Sequence, residues 1–337
     1  MATPDLLSPA EAPLRRVAVS VLNYRTAALT IDCLRAVLAE LRGGAAPAID
    51  GEVIVVDNAS GDGSAEAIAA FLDAEAGGIP ARLVRSARNE GFSGGHNRAL
   101  ELARAEHVLL LNSDALLRPG ALAVMLGAAE AAPQTGLFAP RLEHEDGTVQ
   151  TSCFRFPGPA SEVIRGAATG PVTRLLARFD VPLEMPPPPE AIDWASFACI
   201  LLRARMVAQI GPMDEGYFLY FEDAEYCLRA RRAGWGIAHV RAARVVHLRG
   251  QSGPVKRLTG AGARLPAYYY ASRSRFLYQA HGRAGLLAAN LGWALGRGIA
   301  RLRRLTGRGV PPASAAEARD LWINFAAPLG DPRAPEG

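Results

Sequence analysis

Four short apolar runs, each ending in polar residues and each followed by a helical pattern, limit what this chain can fold into. "VAVSVL" (Val17–Leu22) is a strand; after Thr26, a residue able to cap a helix, Leu34, Val37, Leu38 and Leu41 recur at helical spacing. "EVIVV" (Glu52–Val56) is the next strand, and its helix runs through Ile68, Phe71 and Leu72. "ARLVRS" is a third strand, with a helix expected over Gly94–Ala105. "HVLLLNSDALL" (His107–Leu117) contains the unbroken run Val108–Leu111, the pattern of a strand covered on both faces, and Pro119 opens another helix. Strands alternating with helices mean βαβ units, so the expected class is α/β with a mostly parallel central sheet flanked by helices.

Past Pro140 the rhythm changes. Residues 158–191 are rich in glycine and proline and show no strand, which reads as a long, partly mobile excursion. "IDWASFACILLR" is the next strand, a helix follows at about Ala224–Ala233, and "GIAHV" and "RVVHL" are short strands. From Pro266 the tail is helical, and no internal repeat is visible.

Each early strand ends in residues the fold alone does not demand. These are Asn23-Tyr24, "DNASGDGS" from Asp57 and Asn58, "NEGFSGGHN" (Asn89–Asn97, including Gly91), and Asn112-Ser113-Asp114. In a parallel sheet such endings share one edge, the expected crevice for a nucleotide. Taken singly, Asp57-Asn58 is ordinary turn chemistry, Ser64 is an N-cap, and Ser113 or Asp114 caps the Pro119 helix. Four together favour a site. No G-x-G-x-x-G follows the first strand and no P-loop exists, which argues against nicotinamide chemistry.

The segment "DEGYFLYFEDAEYCLRARRAGW" crowds Asp214, Glu215, Glu222, Asp223 and Glu225 around four aromatic residues. Acidic residues at a helix start complement its dipole. A carboxylate held beside apolar rings also has its pKa raised, which suits it to act as a base near neutrality. Glu225 and Arg229, four apart, read as a plain surface pair.

Bulk numbers exclude several classes. With 50% hydrophobic and 21% charged residues among 337, the chain has an ordinary globular balance. A net charge of +4 gives no reason to expect nucleic acid as a partner. Four scattered cysteines form neither a zinc pattern nor a disulfide framework, so a cytoplasmic location is expected. Residues 1–16 read as a loose leader without the marks of a signal peptide. "AGLLAANLGWALG" is too short to span a bilayer and runs into clustered arginines up to Arg308. Residues 284–308 therefore suit either peripheral contact with an anionic membrane or a docked helix with a solvated basic end.

In this order, "VLNYR", "VVDNASGDGS", "NEGFSGGHN", "LLLNSDA" and "GYFLYFEDAEYCLRARRAGW" resemble the family 2 inverting glycosyltransferases of the GT-A fold, and most the rhamnosyltransferase-like branch. The resemblance implies a Rossmann-like GT-A domain. Residues 17–140 would form its nucleotide-sugar-binding half and 141–265 its acceptor-binding half, with 266–337 as a helical extension. It places Asn23, Tyr24, Asp57, Asn58, Asn89, Gly91, Asn97 and Asn112 at the donor nucleotide. Asp114 would hold Mg²⁺ or Mn²⁺ against the diphosphate, with His247 close by, although a histidine ending a strand also suits a core. Asp223, beside Glu222, would be the general base. Trp194 and Phe197, in "WASFAC", would line the acceptor or sugar pocket. Phe197 stands where the family commonly has glycine, His96 replaces an asparagine, and Ser274 departs from a common Arg-Asn pair.

The implied function is inverting transfer of a sugar, rhamnose being one candidate, from a nucleoside-diphosphate donor to a glycan or lipid-linked acceptor in cell-surface polysaccharide synthesis. A catalytically silent nucleotide-sugar-binding or assembly subunit is the alternative. A nucleotidyltransferase would need a glycine- and lysine/arginine-rich loop after the first strand, and none is there.

Overall fold

The computed structural model describes residues 14–43, 46–248, 255–307, 309–310, 313–331 and 334. Residues 1–13 of the expected leader lie outside this range, as do 249–254 and Arg308; Arg15 and Arg16 already belong to the first strand.

The elements run β1 (Arg15–Asn23), α1 (Ala27–Arg42), β2 (Gly51–Asp57), α2 (Ser64–Glu75), β3 (Ala81–Arg85), α3 (Gly91–Leu102), β4 (Ala105–Asn112), β5 (Ala115–Leu117), α4 (Ala121–Ala131) and β6 (Thr135–Glu143). They continue with β7 (Cys153–Phe154), α5 (Pro159–Ala167), α6 (Gly170–Leu175), β8 (Trp194–Ala195), β9 (Cys199–Arg203), α7 (Ala204–Ile210), α8 (Glu222–Arg232) and β10 (Gly236–His247). The chain closes with α9 (Val255–Gly260), α10 (Ala267–Leu302) and α11 (Glu317–Asp320).

Eight strands form one sheet in the order β3-β2-β1-β4-β9-β6-β10-β5. It is mostly parallel, as expected; β9 runs antiparallel to β4 and β6, and β5 antiparallel to β10. Alternation along the apolar runs covers both faces. Val19, Val53, Leu109 and Leu111 pack with Leu34, Val37 and Leu38 of α1, while Val108, Leu110 and Ile200 face Phe92, Met206 and Tyr226. β6 crosses residue 140 and β9 inserts between β4 and β6, so the two expected halves share one sheet.

Several local expectations are corrected. α3 starts at Gly91, three residues early, because Gly91 at φ 70 makes the turn and its N–H donates to the Asn89 side chain at 3.0 Å. "IDWASFACILLR" is two strands: β8 pairs with β7, and β9 joins the main sheet. "GIAHV" and "RVVHL" are one strand, β10, with an irregularity between Val240 and Arg244. α4 is capped from a distance by Glu40, whose carboxylate accepts the N–H groups of Gly120 (2.7 Å) and Leu122 (2.9 Å). Neither Ser113 nor Asp114 is needed as a cap. Ser64 is the first residue of α2 behind Gly63, and Thr26 precedes α1 without a side-chain cap bond.

The excursion at 158–191 holds α5 and α6. Its Gly166, with Gly296 of α10, permits a close helix crossing rather than a loop. A Cβ on Gly166 would lie 2.3 Å from the Trp293 carbonyl oxygen, and one on Gly296 would lie 2.4 Å from that of Val163. α10 itself breaks at Gly282, at φ 69.

Candidate active site

Register brings the strand endings together. Asn23 stands opposite Asp57, and Leu22 opposite Asn112, across three adjacent parallel strands. Asp57 Oδ1 accepts from Asn23 Nδ2 at 2.7 Å and from Ser60 Oγ at 2.5 Å. Asn23 Oδ1 accepts from Thr30 Oγ1 at 2.8 Å and from Thr26 Oγ1 at 3.2 Å, which is where the Thr26 hydroxyl goes instead of capping. Asn58 donates to Asn89 Oδ1 (2.8 Å) and to the Gly91 carbonyl (2.9 Å), and accepts from the Glu90 N–H (3.0 Å). Asn97 donates to the Met213 carbonyl and to Glu215, and accepts from the Met213 N–H. These asparagines knit the crevice to the acidic aromatic segment. Tyr24, 41% exposed with the Arg25 guanidinium 5.2 Å from its ring centre, is the residue that offers an open face.

His96, a departure from the family pattern, points away from this crevice. Its Nδ1 bonds Ser20 Oγ at 2.7 Å, and burial lowers its pKa to about 3, so the ring is neutral.

Asp114 lies in the two-residue turn between β4 and β5. It is fully buried, and among the described residues neither carboxylate oxygen finds a hydrogen-bond donor. Buried carboxylates are normally paired, so this one calls for a cation or ligand. β10 places His247 opposite Ala115, with Nε2 3.6 Å from Asp114 Oδ1 and Nδ1 without a partner. Among the described residues no group of three or more His, Cys, Asp or Glu side chains gathers. Asp114 and His247 thus fit a divalent ion as two ligands, leaving its other positions to oxygens of a bound substrate.

A third contribution arrives through β9. The Asn112 N–H donates to the Ala198 carbonyl at 3.0 Å, so the bend after β8 sits against the end of β4. Asp223 meets the same bend at the Phe197 backbone. Burial pushes its carboxyl up to about 7, while the backbone N–H groups of Ala224 (2.9 Å) and Phe197 act in the opposite direction. Glu222 is pushed well above the carboxylate range by burial and then by the Asp223 charge, and its Oε2 has no partner. Tyr220 and Phe221, at φ 72 and 69, hold the left-handed conformation immediately before this pair. Bulky residues rarely adopt it, and such strain concentrates at functional sites.

Trp194 stacks on Phe154 (centroids 4.2 Å) and donates to the Arg155 carbonyl. Phe197 is buried edge-on to Tyr226, so its ring enters the core and its N–H faces Asp223. Glu225 and Arg229 do pair, at 2.7 Å, but Glu225 is buried and Arg229 also bonds the Ile210 carbonyl. The pair anchors α8 rather than decorating the surface.

Sequence reasoning missed a clamp from α10. Arg275 grips Asp214 through two 2.9 Å bonds, Gln279 joins at 2.9 Å, and the Tyr217 hydroxyl donates to Gln279 at 2.5 Å. It holds the aromatic segment that carries Asp223. The partners lie some sixty positions apart, and no local pattern announces them.

Comparison with known proteins bears on the family and the fold. The family model described as glycosyl transferase family 2 matches residues 17–162. An N-acetylglucosaminyl-diphospho-decaprenol L-rhamnosyltransferase of Mycobacterium tuberculosis is 30% identical over 274 residues, covering 74% of this chain and 81% of that protein. Among solved structures, a mannosyltransferase from Pyrobaculum calidifontis in complex with GDP-Man and Mn²⁺ superposes with TM-score 0.56 at 16% identity, over 95% of this chain and 86% of that one. Residues 1–349 of S. aureus TarS give 0.53 at 15% identity, over 93% and 80%. At those identities the structures speak to fold, which is GT-A. The sequence relative, the family model and the ordered motifs together show that the chain belongs to glycosyl transferase family 2, in its rhamnosyltransferase-like part.

Proposed function

We propose that the protein transfers a sugar, with rhamnose the first candidate, from a nucleoside-diphosphate donor to a lipid-linked glycan acceptor, with inversion at the anomeric carbon. The nucleoside would lie at the Asn23–Asp57 edge against Tyr24, under the loop that Asn58 and Asn89 hold. The diphosphate would reach Asp114 and His247. Mg²⁺ or Mn²⁺, when bound there, supplies charge neutralisation for the departing diphosphate.

Asp223 would take the proton from the acceptor hydroxyl as its oxygen bonds to the anomeric carbon. The bond from that carbon to the diphosphate breaks, and the nucleoside diphosphate leaves with the electron pair. Single displacement from the face opposite the leaving group inverts the centre. Burial raises the Asp223 pKa towards neutrality, which makes the carboxylate a stronger base while still letting it ionise. Glu222, held neutral by burial and by Asp223, would keep the pair from carrying two charges.

The fully buried Asp114 carboxylate, which among the described residues accepts no hydrogen bond and has His247 near it, carries this reading. The lipid-linked acceptor is supported by the M. tuberculosis relative, whose name specifies a diphospho-decaprenol substrate. Four buried, unpaired cysteines support a reducing, cytoplasmic setting. Incubation with a panel of nucleoside-diphosphate sugars and Mn²⁺ or Mg²⁺ tests the proposal. Metal-dependent release of nucleoside diphosphate is expected from at least one donor. Tight donor binding without turnover, even with lipid-linked acceptors present, would favour the silent-subunit alternative.

A further inference from the structure

Between Glu225 and Glu317 the sequence contains no acidic residue, while arginine recurs throughout. Within that stretch, the part of α10 beyond Gly282 has two unlike sides. Leu286, Ala289, Asn290 and Trp293 are buried towards the body. The opposite side carries Leu287, Leu291, Leu295 and Leu302, which are 39, 56, 60 and 62% exposed. Their spacing sets them on one helical stripe, and Ala288, Ala294 and Gly298 continue the solvent-facing surface without a charge. Arg283 lies at one end of the stripe, Arg297 and Arg301 at the other. Arg283 and Arg297 reach backbone carbonyls, and among the described residues neither Arg297 nor Arg301 pairs with a carboxylate.

A solvated helix normally places charge where these leucines stand, so the face is built to be covered. Charge decides by what. Two copies meeting through this face by two-fold symmetry would bring the same unpaired arginines together. An anionic lipid surface satisfies both the leucines and the arginines. Among the described residues no helix is long and apolar enough to cross a membrane, which leaves α10 lying in the interface.

We propose that the Leu287–Leu302 face of α10 docks the protein on an anionic bilayer, independently of which sugar or acceptor the site takes. Flotation of the full chain with phosphatidylcholine vesicles, with and without phosphatidylglycerol, tests this in the absence of donor. The protein should float only with the anionic vesicles, and less at high salt. Leu291→Ser with Leu295→Ser should abolish flotation without changing Tm. Arg301→Gln should weaken it by about fivefold, the effect of one basic residue at such a surface. Failure to float with anionic vesicles, or undiminished flotation of the leucine variant, would overturn the proposal. So would light scattering that shows a dimer which the leucine variant dissociates, because the covering partner would then be a second copy.

Discussion

Asp223, the proposed base, must be desolvated enough to accept a proton and still ionise, and burial raises its pKa to about 7. The consequence for stability has a definite sign. Its folded pKa lies above the ordinary 3.8, so burial favours the protonated form, and the native state loses stability as pH rises from the ordinary value through 7. Asp223→Asn, which cannot ionise, should therefore raise Tm, and by more at pH 8 than at pH 5; an equal or reversed effect in thermal melts would contradict the burial account. On the activity side, kcat should rise with pH along a limb with a midpoint near 7. Asp114→Ala addresses a different group. It should weaken donor binding by about 10–100-fold in Mn²⁺, while leaving affinity in EDTA nearly unchanged. Titration calorimetry in both conditions separates a metal ligand from a merely structural carboxylate.

At the scale of elements, a buried charge knot joins α5, α10 and α11. Arg273, almost wholly buried, lies 2.9 Å from Glu162 and donates to Asn290 at 2.8 Å; Arg165 bridges Glu162 and Glu317. The arginines Arg165 and Arg273 outweigh burial and hold Glu162 down at about 2. Glu162 thus stabilises the fold above its ordinary 4.5, and that contribution is lost as pH falls towards 2. Arg273→Ala leaves a buried carboxylate short of a partner and should cost about 3–5 kcal/mol in denaturant unfolding. A loss below about 1 kcal/mol would show that Arg165 alone suffices. None of this knot was legible in the sequence, because its members are up to 155 positions apart and the stretch containing α5 reads as loop. Gly166 in that stretch serves helix contact with α10, and composition alone does not distinguish that use from a turn. By contrast α1, β1, β2 and β4 follow directly from local apolar periodicity, and they appear where it places them.

At the scale of the whole molecule, the parallel half of the sheet delivers polar endings to one edge because all its strands point the same way. That much of the site could be read residue by residue. What could not was the insertion of β9 between β4 and β6. This non-local pairing sets the Ser196–Ala198 bend against Asn112 and presents the Phe197 N–H to Asp223. The sequence therefore named the carboxylates without saying how the two halves meet. We propose that the donor crevice and a separate base meet at that bend. The direct measurement is transfer and donor affinity for Asp223→Asn beside the native protein, with a donor that the native protein turns over. kcat should fall by about 10²–10⁴-fold while the donor Kd changes by less than about threefold. Transfer that survives the substitution, or donor binding lost in step with it, would contradict the claim.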